Sequence, residues 1–243
     1  MKRLTSIIFA MAISFATIAS AANPFDLGNT KGNGNIVKKE IRIKDYQEFS
    51  FGGSATIVYE QKEDANPYLR IEIDENIFPL LEVESQNGKL KISGKNIAPT
   101  KYVIYTNSSS LSLLDLSGSV NYTIKGKSVA NTLTIKTAGT TTLNGDNLTY
   151  ESILVHTAGS CKIALGGETK KISCNSNGNG CVNMIKLKSD EARCSTAGSG
   201  DIKVHAEKSL EVKIAGSGKV EYKGSPEINK RIAGSGTIFR VKS

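Results

Sequence analysis

From Leu111 onward, apolar and polar residues alternate around a recurring glycine. The segments Asp115-Leu-Ser-Gly-Ser-Val, Lys136-Thr-Ala-Gly-Thr-Thr, His156-Thr-Ala-Gly-Ser-Cys, Asn175-Ser-Asn-Gly-Asn-Gly, Ser195-Thr-Ala-Gly-Ser-Gly, Lys213-Ile-Ala-Gly-Ser-Gly and Arg231-Ile-Ala-Gly-Ser-Gly share a small-Gly-small centre. Their glycines are Gly118, Gly139, Gly159, Gly178, Gly198, Gly216 and Gly234, separated by 21, 20, 19, 20, 18 and 18 residues. A period this steady marks a repeat architecture. Four residues before the glycine stand Leu114, Ile135, Val155, Cys174, Cys194 and Val212; four after it stand Tyr122, Leu143, Ile163, Val182, Ile202, Val220 and Ile238. Six after it come Ile124, Leu165, Met184, Val204 and Tyr222, and the residues between are mostly Lys, Thr, Asn, Glu and Ser. Such alternation predicts half-buried strands, and no segment sustains a helical period.

One repeat alone cannot bury its apolar row. Stacking each repeat on the one before pairs the backbones at about 4.8 Å and builds a continuous aliphatic core. The expected fold is therefore all-β: a right-handed, single-stranded parallel β-solenoid, or β-helix, with coils of about 20 residues. Glycine suits each corner because it tolerates a backbone that strains a Cβ-bearing residue, and because it lets adjacent coils approach closely. An antiparallel sandwich with glycine-rich turns is the alternative. The repeat degrades at its end, with Lys230 at an inward position and Arg240 six residues past the last glycine, as a terminal cap should.

Residues 36–110 are less regular, with strand-like runs at Ile36–Ile43, Ala55–Tyr59, Tyr68–Ile73, Lys89–Ile92 and Lys101–Tyr105 and turn signals at Asn66-Pro67 and Asn87-Gly88. Phe51-Gly-Gly-Ser-Ala has the form of a further corner. These residues are expected to form wider, irregular coils of the same solenoid domain, 36–243; a separate small domain ending near Pro99 is the alternative. Phe51-Gly-Gly-Ser-Ala, Leu81-Glu-Val-Glu-Ser-Gln-Asn-Gly-Lys-Leu-Lys-Ile, Lys101-Tyr-Val-Ile-Tyr and Leu113-Leu-Asp-Leu-Ser-Gly-Ser-Val, followed by repeated Ala-Gly-Ser-Gly corners, together resemble the putative auto-transporter adhesin head domain family, the GIN domain. The resemblance runs from about Ile36 to the C-terminus. It implies an exported β-solenoid of bacterial surfaces or periplasm, and the family name adds adhesion without a mechanism.

Met1-Lys2-Arg3, the apolar run Leu4 to Ala16 and Thr17-Ile-Ala-Ser-Ala21 have the layout of a cleaved signal peptide, residues 1–21, followed by a flexible linker over 22–35. The apolar run is shorter than the roughly 20 residues a membrane-spanning helix needs. Loss of Lys2 and Arg3 would lower the formal net charge from +8 to +6, spread without any dense basic block. A solvated strand surface accounts for that charge; anionic glycans or lipid headgroups are a second use of it. Nucleic-acid binding needs a basic patch with stacking aromatics, and the chain has no tryptophan.

Candidate chemistry is sparse. Solenoid enzymes that cleave polysaccharides need carboxylates gathered on one face, but Asp115, Asp146, Asp190 and Asp201 fall at different places in the repeat, and His156 and His205 share no register. The glycines precede strands rather than a helix, which argues against a phosphate loop, and only Gly198-Ser-Gly-Asp201 supplies the Asp of a calcium-binding array. No Cys-x-x-Cys spacing suggests zinc, and no cofactor or metal ligand set is expected. Four cysteines in an exported chain allow three full pairings. Cys174 and Cys194 both lie four residues before their glycines, so stacked coils place them one above the other, within reach of a disulfide; two buried thiols are the alternative. Cys161 and Cys181 differ by one position and should point apart. The functional expectation is a non-catalytic module that binds a surface glycan or an envelope protein, with an envelope scaffold that self-associates as the alternative and a polysaccharide-active enzyme third.

Overall fold

A computed structural model describes residues 28–63 and 66–241; the expected signal peptide, 1–21, and the first part of the linker lie outside them. The fold is all-β, with large sheets and no closed barrel. Its strands are β1 (Thr30–Lys31), β2 (Ile36–Arg42), β3 (Glu48–Gln61), β4 (Tyr68–Asp74), β5 (Leu81–Gln86), β6 (Lys89–Gly94), β7 (Ile97–Ala98), β8 (Tyr102–Ser108), β9 (Leu113–Gly178), β10 (Cys181–Gly198), β11 (Asp201–Gly216), β12 (Lys219–Lys223), β13 (Glu227–Gly234) and β14 (Thr237–Arg240). One short 3-10 turn, Phe78–Leu80, interrupts them.

From β9 onward, pairing between successive elements is parallel. Register sets Gly178 beside Gly198, Gly198 beside Gly216 and Gly216 beside Gly234, and β3 joins the series with Gly53 beside Gly118. Within β9, a Cβ on Gly139 would lie 2.7 Å from the carbonyl oxygen of Gly118, and one on Gly159 would lie 2.7 Å from that of Gly139. The same approach recurs at Gly178, Gly198, Gly216 and Gly234, at 2.5–2.6 Å from the preceding glycine's carbonyl. Gly118 and the six glycines that follow it in the column have φ between +101° and +124°. Any side chain would therefore meet both backbone strain and a neighbouring carbonyl, which is why the mark tolerates only glycine. A second series, Gly200, Gly218 and Gly236, clears room for Ser176, Thr196 and Ile214 of the preceding repeat, which accounts for the second glycine of Ala-Gly-Ser-Gly.

The aliphatic rows close over one another as a dry interior, with Leu114, Ile135, Val155, Leu143, Val182 and Ile202 fully buried. A further inward row lies two residues before the glycines from Gly118 to Gly216, where Thr137, Thr157, Ser176 and Thr196 are buried between Leu116 and Ile214. Thr157 donates to Ser176 at 3.1 Å, so part of this hydroxyl row bonds along the repeat axis.

The N-terminal region is organised differently. β4 is antiparallel to both β2 and β8, while β8 is parallel to β3. β5 and β6 form an antiparallel hairpin that docks β6 parallel to β3. Asn87 and Gly88, with φ of 52° and 73°, make the two-residue turn, whose left-handed backbone matches the twist of the flanking strands. A two-residue link can only reverse the chain, so antiparallel pairing here follows directly from the turn. Thr30 and Lys31, inside the segment expected to be a flexible linker, pair with Ile97 and Ala98. Aromatic side chains fill this part of the core: Tyr46, Phe49, Phe51, Tyr59 and Tyr122 are buried. Tyr46 and Tyr59 satisfy their hydroxyls on Thr106 and Ser108, both at 2.9 Å.

Candidate functional site

With the interior filled, chemistry is left to the outward faces, the grooves between them and the ends of the sheet. One outward column begins one residue after each glycine, at the exposed Ser119, Thr140, Ser160, Asn179, Ser199, Ser217 and Ser235. Elsewhere, acid and base side chains link neighbouring repeats, exposed in Lys170–Glu151 at 2.6 Å and Lys208–Asp190 at 3.0 Å and largely covered in Lys203–Glu221 at 2.8 Å. Such ladders hold the outer faces polar and, being mostly exposed, add little stability.

Two grooves lie near the junction of the N-terminal strands with the repeats. The first, about 320 Å³, is lined by Glu48, Glu84, Lys89, Lys91 and Asp115 with Phe49 and Leu113. Lys89 pairs with Glu48 at 2.8 Å and Lys91 with Glu84 at 3.9 Å, so much of its charge is internally balanced. The second, about 450 Å³, is uncharged: Ser54, Thr56, Thr100, Ser119 and Asn121 face the Ile97–Pro99 strap and Tyr102.

Asp115, Asp190 and Asp201 stay apart. Asp115 lines the charged groove, Asp190 is paired with Lys208, and Asp201 lies in register with Cys181 and Lys219. His156 lies 3.4 Å from Asn175, and His205 contacts Glu207 at 2.9 Å. Among the described residues, no cluster of three or more His, Cys, Asp or Glu is placed to hold a metal ion.

The corner glycines form the single column described above. Cys174 and Cys194 are register partners in adjacent strands, both buried, and both are free thiols in the structure. Burial pushes the Cys174 thiol well up, with Cys194 and Cys161 adding to the effect, and pushes Cys194 up to about 12. Thiols held protonated in this way are poor nucleophiles once the fold has closed. Cys181 pairs instead with Lys162 and is half-buried, while Cys161 is buried against the space left by Gly180.

Asp74 carries no sequence signature, yet it is fully buried and holds the N-terminal strands together. Burial opposes its charge, but the Thr100 hydroxyl at 2.7 Å and the N–H groups of Gly34 at 2.8 Å, Thr100 at 2.7 Å and Lys101 at 3.4 Å outweigh it. The carboxyl is held down to about 2. Its donors lie 26 to 40 residues away in sequence, so only the folded chain reveals the cluster.

The protein is thus all-β, with large sheets, an aliphatic core and polar outer columns. The chain belongs to the family described as "Putative auto-transporter adhesin, head GIN domain", which matches residues 45–226. It is similar to a crystal structure described as a putative lipid binding protein from Parabacteroides distasonis, at 34% identity and a TM-score of 0.74. It is also similar to putative adhesins from Bacteroides fragilis (24% identity, TM-score 0.81) and Parabacteroides distasonis (24%, 0.72), likenesses that concern the fold. Each match covers 88% of this chain and 100% of the other. No functionally curated protein matches the chain. Among the described residues, no helix is long and apolar enough to cross a membrane.

Proposed function

We propose that this chain is an exported, non-catalytic adhesin-like head whose parallel repeats close into a right-handed β-solenoid. Its rigid outward columns would present repeated polar groups to a surface glycan or an extended envelope protein segment. The observation that carries the reading is the glycine column from Gly53 to Gly234, because register held over so many repeats puts like residues at regular heights on the outer faces. Right-handedness follows from the strong preference of parallel crossovers. Family membership supports the adhesive role, and the N-terminal Met1-Lys-Arg layout supports export through a cleaved signal. In an oxidising compartment, the register that stacks Cys194 on Cys174 would let an external oxidant join them as a disulfide.

A lipid ligand, raised by the description of the Parabacteroides distasonis relative, would have to lie on the surface, since aliphatic side chains already occupy the interior. Beads coated with the purified chain should be retained on a subset of immobilised polysaccharides or extracellular proteins, and beads coated with heat-unfolded chain should not. Equal retention of both, or retention on no surface, would contradict the reading. Peptide-bond or glycosidic cleavage of the retained ligand would contradict its non-catalytic part.

A further inference from the structure

We propose that the C-terminal end of the sheet, β13 with β14, is a docking edge for an extended segment bearing carboxylates, and that its inward cations bar a second copy of this chain. All eight residues of β13 are exposed, whereas Leu210, Val212 and Ile214 of β11 beneath it are buried. β13 pairs only with β11 and β14 only with β12; among the described residues, no strand pairs with their outer edges. Ile228, Ile232 and Phe239, at 38%, 37% and 41% exposure, are three of the six large hydrophobic side chains exposed among the described residues.

Register shows what interrupts this apolar end. Ile228, Lys230 and Ile232 stack over Leu210, Val212 and Ile214, and Ile238 and Arg240 stack over Val220 and Tyr222. Two cations thus occupy rows that are aliphatic or aromatic in the repeat beneath. Arg240 donates to the Ser225 hydroxyl at 2.8 Å, and neither Lys230 nor Arg231 forms an ion pair among the described residues. An added strand would cover Ile228 and Ile232, bond the open backbone and set a carboxylate against Lys230 between them. An anionic lipid surface would meet the charge and the apolar groups but would leave the backbone N–H and C=O groups unpaired, so the open edge selects a peptide.

Charge also disfavours this chain's own edges as the occupant. The sheet's other open edge, β2, carries Lys38, Lys39 and Arg42 against Glu40, and would set cations against cations. With Ile228 set against Ile232 of the copy, an antiparallel pairing of β13 with itself would bring Lys230 opposite Lys230 and leave Glu227 opposite Ala233. Inward charges are a known guard against edge-to-edge growth.

The probe is a blocked octapeptide, Lys-Val-Thr-Glu-Glu-Val-Thr-Thr, titrated against the full chain alongside its charge-swapped form, Glu-Val-Thr-Lys-Lys-Val-Thr-Thr. The account expects saturable binding of the acidic peptide and at least about tenfold weaker binding of the swapped one. Lys230→Glu with Arg240→Glu should reverse that order, and Lys230→Ala with Arg240→Ala should erase it, with thermal melts confirming folded protein. Lys230→Ile with Arg240→Val should convert a monomer into a concentration-dependent assembly in sedimentation. Equal binding of both peptides, binding of neither at millimolar concentration, binding to phosphatidylglycerol vesicles in place of the peptide, or self-association of the unmodified chain would each overturn the proposal.

Discussion

Between Leu113 and Gly234 the backbone repeats one geometry, whereas between Thr30 and Ser108 almost every strand has its own partner and direction. The repeats rely on identity: a glycine on a glycine, an aliphatic on an aliphatic, and backbone ladders that need no special side chain. The N-terminal strands rely on particular groups, such as the Asp74 carboxylate with its donors and the tyrosines that fill the wide end of the core. A repeat spreads its stability over many equivalent contacts and is vulnerable wherever the shared geometry is violated. An irregular region concentrates it in a few polar clusters and is vulnerable to pH.

The sharpest break in that comparison is a side chain in the glycine column. Gly159→Ala places a Cβ 2.7 Å from the Gly139 carbonyl at φ +106°, and should cost about 3 kcal/mol, lowering the melting temperature by roughly 6–12 °C. Gly34→Ala, also at positive φ but with nothing within 4 Å, should cost clearly less. Equal losses in calorimetry would show that close approach plays no part in the column.

Next in size is Asp74. Its folded pKa lies below the unfolded value of about 3.9, so its contribution is present above that value and is lost as pH falls toward about 2. Asp74→Asn should therefore lower the melting temperature at pH 7 and flatten its fall between about pH 4 and 2. An unchanged acid profile would remove Asp74 from the account.

A smaller contrast separates two tyrosines. Tyr46→Phe breaks a buried hydroxyl bond to Thr106 and should cost about 1 kcal/mol, whereas Tyr122→Phe removes a buried hydroxyl with no protein partner and should be neutral or stabilising. Smallest of all, Lys170→Ala removes an exposed ion pair with Glu151 and should leave the melting temperature unchanged within error.

How much could be read before folding follows the same division. A stacked repeat writes its period into the chain, so the inward rows four before and four or six after the glycine, and the alignment of Cys174 with Cys194, could be read by counting. The row containing Thr137 and Thr196 could not, because Thr and Ser at alternating positions read as surface; only the neighbouring repeats enclose them. In the N-terminal region the runs near β2, β4, β6 and β8 were visible, but alternation does not state a partner or a direction. β5 alternates as Leu81-Glu-Val-Glu but buries no position fully, and Asp74 is silent because its donors are remote.

The most direct measurement is a set of spin-label distances along the outward column, with Cys181→Ser to protect specificity. Labels at Ser119 paired with Thr140, Ser160, Ser199 and Ser235 should separate by about 4.8 Å per repeat, reaching about 29 Å at the sixth step. Distances that fail to rise with repeat number, or that alternate as in two facing antiparallel sheets, would contradict the stacked column on which the proposed binding faces depend.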